Sequence, residues 1–241
     1  MPSKNRPKIR TSVFFLFILI IISITFVTLF NLEIERKPYV KDKFESLDIN
    51  YLKDFYIEGA PNLDGRLFFG KKDANTHLIA YMSIGSESSK YFIFEIFPKL
   101  KKEYIDTGKL KFYPKSYVTL QDFEEKNDNF YYAKSLFCIR SIKEEKYFDF
   151  YFDLFEIANI KEIQGLLKKH NISKSQFNQC VEEKEFDELL EDASEVEHFG
   201  IVGLNQRFYI GLYKDNTALN GVPNYNKFNI TIRQYLFTIG N

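Results

Sequence analysis

Tryptophan is absent from this chain, cysteine occurs only twice, and proline and glycine are sparse, at 7 and 11 of 241 residues. So little Pro and Gly argues against collagen-like repeats and long disordered stretches. The two cysteines, Cys138 and Cys180, stand far outside C-x-x-C spacing and by themselves make no redox motif. No clustered third and fourth ligand accompanies them, so neither a zinc site nor any other metal or cofactor is expected. A surplus of charge is missing too, the formal net charge being zero. Acidic residues are absent from the first twelve positions, which carry Lys4, Arg6, Lys8 and Arg10. Beyond them 29 basic side chains face 33 acidic ones, a net of −4. A mildly acidic body offers no electrostatic footprint for nucleic acid.

What is abundant is the aromatic ring, with 26 Phe and 16 Tyr. Together with many Lys, Ile and Asn, this matches codon drift in an AT-rich bacterial genome, so an aromatic cluster is not in itself a functional signal. Hydrophobic content of 45% and charged content of 27% are ordinary for a folded chain. The length suits one good-sized domain, or two small ones, with appendages. Residues 13–32 (VFFLFILIIISITFVTLFNL) carry no charge and are long enough for a helix to cross a bilayer core of about 30 Å. The basic tail of residues 1–12, with Glu33 and Glu35 beyond the run, predicts a cytoplasmic N-terminus and an exported body. Two forms fit: a retained anchor, or a cleaved signal. The run is long for a signal core and no small-x-small pair follows it, which favours the anchor in a bacterial inner membrane, with the body periplasmic.

Residues 33–58 are charged and irregular and read as a stalk. A short strand is expected at 63–70. The compact apolar run Thr76 to Ser83 suits a buried central strand. Gly85 breaks it, and Phe92, Ile93, Ile96, Phe97, Leu100 and Tyr104 then recur at helical spacing from Ser86 to Tyr104. Gly108 stops that helix before the strand KLKFYPKSYVTL, which Pro114 makes an edge or a bulge. Helical pattern fills 122–198, in segments Lys134–Glu145, Tyr147–Ala158, Ile163–His170, Ser173–Val181 and Phe186–His198. Ser173 and Gln176 have capping-box spacing. Strands return at 207–213 and, past a turn at 214–216, in TALNG, before a last helix from Tyr225 to Phe237. A β-α-β half (59–121) and a β-β-α half (199–241) are thus split by a helical block (122–198), an α/β sheet with an inserted helical subdomain.

With these residues in view, LIAYMSIGSESSKYFIFEIFPKLKKEYIDTGKLKFY resembles the first βαβ unit of DsbA-type thiol–disulfide oxidoreductases, especially the alphaproteobacterial kind. SLFCIRS, SQFNQCVEE, FGIVGLNQRFYIG and the closing G-x-P helix extend the similarity over about residues 59–238. It implies a thioredoxin-like fold. It also places the active-site cysteine pair on Ser86 and Ser89, within Ser86-Glu87-Ser88-Ser89, and the substrate-clamping cis-proline on Asn205. A serine hydroxyl there cannot form a disulfide. A cis bond before a non-proline costs about 3 kcal/mol, so the Asn205 loop is expected in trans. At a strand-to-helix junction serine is also a favoured N-cap, so capping and solvation account for Ser86 and Ser89. A serine nucleophile would need a base, and His77, His170 and His198 carry no signature placing one there.

The resemblance further implies a structural disulfide Cys138–Cys180, with two buried free thiols as the alternative; an even count in an exported domain favours the bond. Tyr147 to Phe155 is apolar nearly all round a helix, either the core of the subdomain or an exposed groove for polypeptide beside the old site. The function expected is that of a membrane-anchored, redox-inactive scaffold, a pseudoenzyme binding or assisting the folding of exported polypeptides or envelope proteins. The alternative is an oxidoreductase with an unusual site, or one relaying through Cys138 and Cys180.

Overall fold

The structure, a computed structural model, describes residues 53–56, 59, 61–183, 186–200, 208–212, 217–220 and 225–239, all within the compact unit Phe44–Asn241. The expected membrane segment 13–32, nearly all of the stalk and Asn205 lie outside the described residues. No helix among those described is long and apolar enough to cross a membrane.

Five strands form one sheet: β1 (Lys53–Tyr56), β2 (Thr76–Met82), β3 (Leu110–Ser116), β4 (Phe208–Leu212) and β5 (Thr217–Asn220). Their order is β1-β5-β4-β2-β3, with β2 and β3 parallel and the other pairs antiparallel. The apolar run Thr76 to Ser83 is therefore the strand next to the edge, paired on both sides and buried at nearly every position. β3 is the edge strand that Pro114 demands, because proline has no N–H for an outer neighbour. Residues 63–70, expected as a strand, are irregular; only Phe69 bridges to Phe112. Each of these two residues donates its N–H to the other's carbonyl, at 2.8 and 2.9 Å, covering part of the edge. β1 pairs with β5 inside the stretch read as stalk, and its four residues are too short for periodicity to reveal.

Helix α1 runs from Glu87 to Ile105, with α-helical Glu87–Tyr91 and Phe97–Leu100 alternating with π-helical Phe92–Ile96 and Lys101–Ile105. Pro98 has no N–H to close a normal turn, and just before it the chain widens, so that Phe97 N–H reaches the Phe92 carbonyl five residues back. The helix stops at Gly108 as expected, with φ at +79°, a left-handed conformation that glycine adopts without strain. Gly70 (φ +133°) is needed for space as well, since a Cβ there would sit 2.9 Å from the Leu110 carbonyl.

The helical block comprises α2 (Leu120–Glu125), α3 (Asp128–Lys143), α4 (Tyr147–Leu154), α5 (Ile163–Lys169), α6 (Lys174–Glu183) and α7 (Asp187–His198), and α8 (Tyr225–Ile239) closes the chain. Two starts fall earlier than the apolar pattern indicates, and caps explain both. Thr119 and Asp122 form a reciprocal capping box on α2, and the Asn127 side chain accepts from the Phe130 N–H to open α3. Ser173 does cap α6, accepting from Gln176 N–H at 3.4 Å.

Alternation along β2 divides the core. Leu78, Ala80 and Met82 meet α1, α4 and the insert, whereas Ile79 and Tyr81 meet Val196 of α7 and Phe199 just beyond it. The stretch Tyr147 to Phe155 is core: Tyr147, Phe150, Tyr151, Leu154 and Phe155 are buried, and Phe148 and Phe152 pack edge-on to Phe69.

Candidate functional site

β2 delivers the chain to a sharp turn, Ser83-Ile84-Gly85-Ser86, from which α1 departs. Ser86 N–H donates to the Ser83 carbonyl at 3.1 Å, and the Ser86 carbonyl accepts from Lys90 N–H at 3.0 Å. Ser86 sits at the N-cap in extended conformation (φ −82°, ψ 129°), half-buried, yet its hydroxyl makes no capping hydrogen bond. The side-chain capping expected of Ser86 is therefore not made, and only backbone bonds close the turn. Ser89 departs further from expectation. It is 0% exposed, and Oγ has no hydrogen-bond partner. Helical spacing explains the burial: Ser89 lies on the stripe shared with Phe92, Ile93 and Ile96, so solvation is not available to it.

The turn is braced from behind. Ser83 Oγ donates to Asn129 Oδ1 at 2.6 Å, and Asn129 Nδ2 reaches Asp122 Oδ1 at 3.5 Å. Burial pushes the Asp122 carboxyl up, but hydrogen bonds from Asn127 and Thr119 outweigh it and hold the group below its usual range. A small cavity lies between the ends of β2 and β3 and helices α3 and α4, with Ser83, Asn129, Tyr147 and Tyr151 in its wall. The Tyr151 hydroxyl is buried without a partner, and burial pushes the pKa values of Tyr147 and Tyr151 well above the usual tyrosine range.

On the opposite face of the sheet lies a charge cluster that the sequence reading did not find. Lys115 of β3 has a side chain 0% exposed, yet it pairs with Asp192 at 3.2 Å and with Glu195, and donates to the Asn62 carbonyl at 3.1 Å. Arg66 pairs with Glu188, Glu191 and Asp192 at 2.7, 2.7 and 2.9 Å, and Arg140 also reaches Glu188. Tyr81 Oη donates to Glu195 at 2.5 Å. Burial raises Asp192 to about 6, against the pull of Lys115 and Arg66. Glu191 is held below its usual range, first by a hydrogen bond from Asn62 and then by Arg66. The one available signal was in DELLEDASEVEH, where acids recur on the same face as Leu189, Ala193 and Val196, the face that must meet the sheet.

Cys138 of α3 and Cys180 of α6 form a disulfide, with Cα atoms 5.8 Å apart. The residues are 0% and 5% exposed, and free cysteines are absent. The disulfide implied by the resemblance is therefore present, in the helical block. The histidines serve elsewhere. His77, its basicity lowered by burial and by Lys111, stands edge-on to Tyr113 at the start of β2. His170 Nε2 lies 2.6 Å from Asp153 Oδ2, and exposed His198 ends α7. No group of three or more His, Cys, Asp or Glu side chains among the described residues could hold a metal ion.

Comparison with known proteins gives this arrangement its context. The family described as Thioredoxin matches residues 62–205, well over half of the chain. A curated relative, Disulfide bond formation protein D of Bacillus subtilis (strain 168), is 36% identical over 56 residues, which are 23% of this chain and 25% of that protein. The chain thus matches about a quarter of that relative's length. Among solved structures, oxidised BdbD from Bacillus subtilis superposes with a TM-score of 0.62 at 19% identity, covering 76% of this chain and 98% of that one. Alpha-DsbA1 from Wolbachia pipientis gives 0.58 at 22%, covering 73% and 94%. At these identities the superpositions establish the fold, a thioredoxin-like sheet with a helical insert.

Proposed function

Since the chain belongs to the thioredoxin family, in its DsbA-like branch, we propose that it is a redox-inactive member that binds exported polypeptides or envelope proteins instead of oxidising them. One observation carries this. The turn that in the resembled family presents a cysteine pair presents Ser86 and Ser89, and the two cysteines the chain does have are tied to each other and buried. A helix N-terminus activates a thiol by stabilising thiolate, whereas a hydroxyl there has no disulfide chemistry to activate. The relative's name speaks of disulfide bond formation, so loss of that activity is the point to test. A relay through Cys138 and Cys180 needs an accessible sulfur of low pKa, and their burial speaks against it. Residues 13–32 would hold the body at the outer face of the inner membrane, where the Cys138–Cys180 bond persists. Mass spectrometry of membrane-extracted protein, showing residues 13–32 retained, is the check on that anchor.

The deciding assay is insulin reduction and dithiol-peptide oxidation by the full chain in nanodiscs. The expected outcome is no turnover above buffer, with both thiols unreactive until strong reduction. Turnover that disappears in a Cys138→Ala variant would establish a relocated redox site and end this proposal.

A further inference from the structure

We infer that the outer face formed by α2, α3 and α7 is a docking surface for exported polypeptide segments in which apolar side chains are flanked by lysine or arginine. This rests on the polypeptide-binding function proposed above and gives it a place and a partner chemistry.

The face is contiguous. Three of the four large hydrophobic residues that stand exposed among the described residues are Leu120, Tyr131 and Leu190, at 37, 39 and 46%. They stand on α2, α3 and α7, around one string of aromatic rings. Phe123 lies 4.9 Å from Phe130, Phe130 lies 5.7 Å from Tyr131 and 6.5 Å from Phe186, and Phe186 lies 5.2 Å from Phe137. Phe123, Phe137 and Phe186 are only half-buried, and beneath them the small cluster Val118, Ala133, Leu189 and Ala193 joins the three helices. Isolated exposed apolar residues are ordinary on a protein surface; a linked patch over three elements is a feature of binding sites.

Charge selects the occupant. The exposed acids Glu124, Asp128 and Asp187 edge this face, and among the described residues none of the three makes an ion pair. Two cations stand against these acids: Lys134 is folded onto the rings, 4.2 Å above Phe186 and 5.1 Å above Phe130, and exposed Lys126 ends α2 close by, so the rim stays acidic by one charge. A second copy of the chain would bring the same acids against these. An anionic lipid surface would be repelled for the same reason. A segment carrying lysine or arginine beside leucine-like residues complements both the rings and their rim.

The test uses full-length protein in nanodiscs of neutral lipid and fluorescence anisotropy of two labelled peptides, alternating Leu–Lys and alternating Leu–Glu, with empty nanodiscs as baseline. The Leu–Lys peptide is expected to bind, less tightly as salt rises, and the Leu–Glu peptide to stay near baseline. Leu190→Asp is expected to weaken Leu–Lys binding about tenfold, and Tyr131→Ser to weaken it about fivefold. The aspartate adds a negative charge, so mere attraction of a cationic peptide to an acidic protein would tighten binding. Equal binding of both peptides, unchanged or tighter binding to Leu190→Asp, or a dimer in sedimentation that Leu190→Asp dissociates, would each overturn the inference. Loss of envelope clients from crosslinks to the Leu190→Asp protein supports it. Persistence of those clients alongside unchanged peptide binding overturns this surface while leaving the proposed function standing.

Discussion

A buried hydroxyl with nothing to bond is costly in a way that a buried thiol is not, and Ser89 is such a hydroxyl. Ser89→Ala should therefore raise stability by about 1 kcal/mol in urea unfolding, with an unchanged m-value. Destabilisation instead would show that Oγ has a partner in solution. Asp192 gives the second test. Burial lifts it to about 6, above the roughly 3.9 of an unfolded aspartate. The folded chain thus holds this proton more tightly than the unfolded one. The resulting stabilisation is complete below about pH 4 and is lost as pH rises through about 6. Asp122 and Glu191, both held below their usual range, act oppositely and lose their contribution only as pH falls through their folded values. The thermal midpoint should accordingly be higher near pH 5 than near pH 7, and Asp192→Asn should flatten that slope in calorimetry across the same range. Neither residue could be judged from sequence. Ser89 reads as a polar junction residue until helix phase turns it inward, and Asp192 reads as one acid among many on an acidic helix.

Strong period made the long elements legible, and unusual chemistry hid the rest. The central strand at Thr76, the helix from Ser86 and the edge role of β3 follow from apolar spacing and from Pro114. Residues 63–70 mislead because Leu67, Phe68 and Phe69 mimic a strand, when only Phe69 bonds across to Phe112 and the others supply apolar cover. The clamp between β3 and α7 was illegible, since a lysine within a strand gives no hint that two carboxylates await it on a helix far along the chain. In the folded protein that clamp is what seats α7 on the sheet. Lys115→Met should cost about 3–5 kcal/mol, because Glu195 would lose its cation and the buried Asp192 would keep only Arg66. Lys115→Met combined with Glu195→Leu and Asp192→Asn should recover most of that loss. Chemical denaturation of the wild type, Lys115→Met, the Glu195→Leu and Asp192→Asn pair and the triple variant gives the comparison, and additive losses would show that the charges do not act as a unit.

At the scale of the molecule, fold and chemistry separate. The thioredoxin-like scaffold survives with its sheet, its insert and the Cys138–Cys180 bond, while the positions that carry thiol chemistry in the resembled family hold serine. The scaffold was readable because it is written in periodicity over most of the chain. The serines at the two positions were readable because residue identity needs no structure. The partner was not, since it depends on which faces the helices leave outward. The disulfide is expected to stabilise the folded chain by about 4 kcal/mol, from the size of the loop it closes. Paired Cys138→Ser and Cys180→Ser substitutions should lower the unfolding free energy by about that amount; an unchanged unfolding curve would refute it.

The same bond sets how the protein would answer to force. Were the protein tethered at one end and gripped by a client, as proposed above, it would be a link in a chain under tension, with load between its ends passing directly from residue 138 to residue 180. The 42-position stretch between them adds roughly 140 Å of slack when extended, and none of it can be drawn out while the sulfurs remain joined. The segment that carries α4 would thus bear no load even as the sheet is pulled open, giving a link of fixed reach in oxidising surroundings and a longer one under reduction.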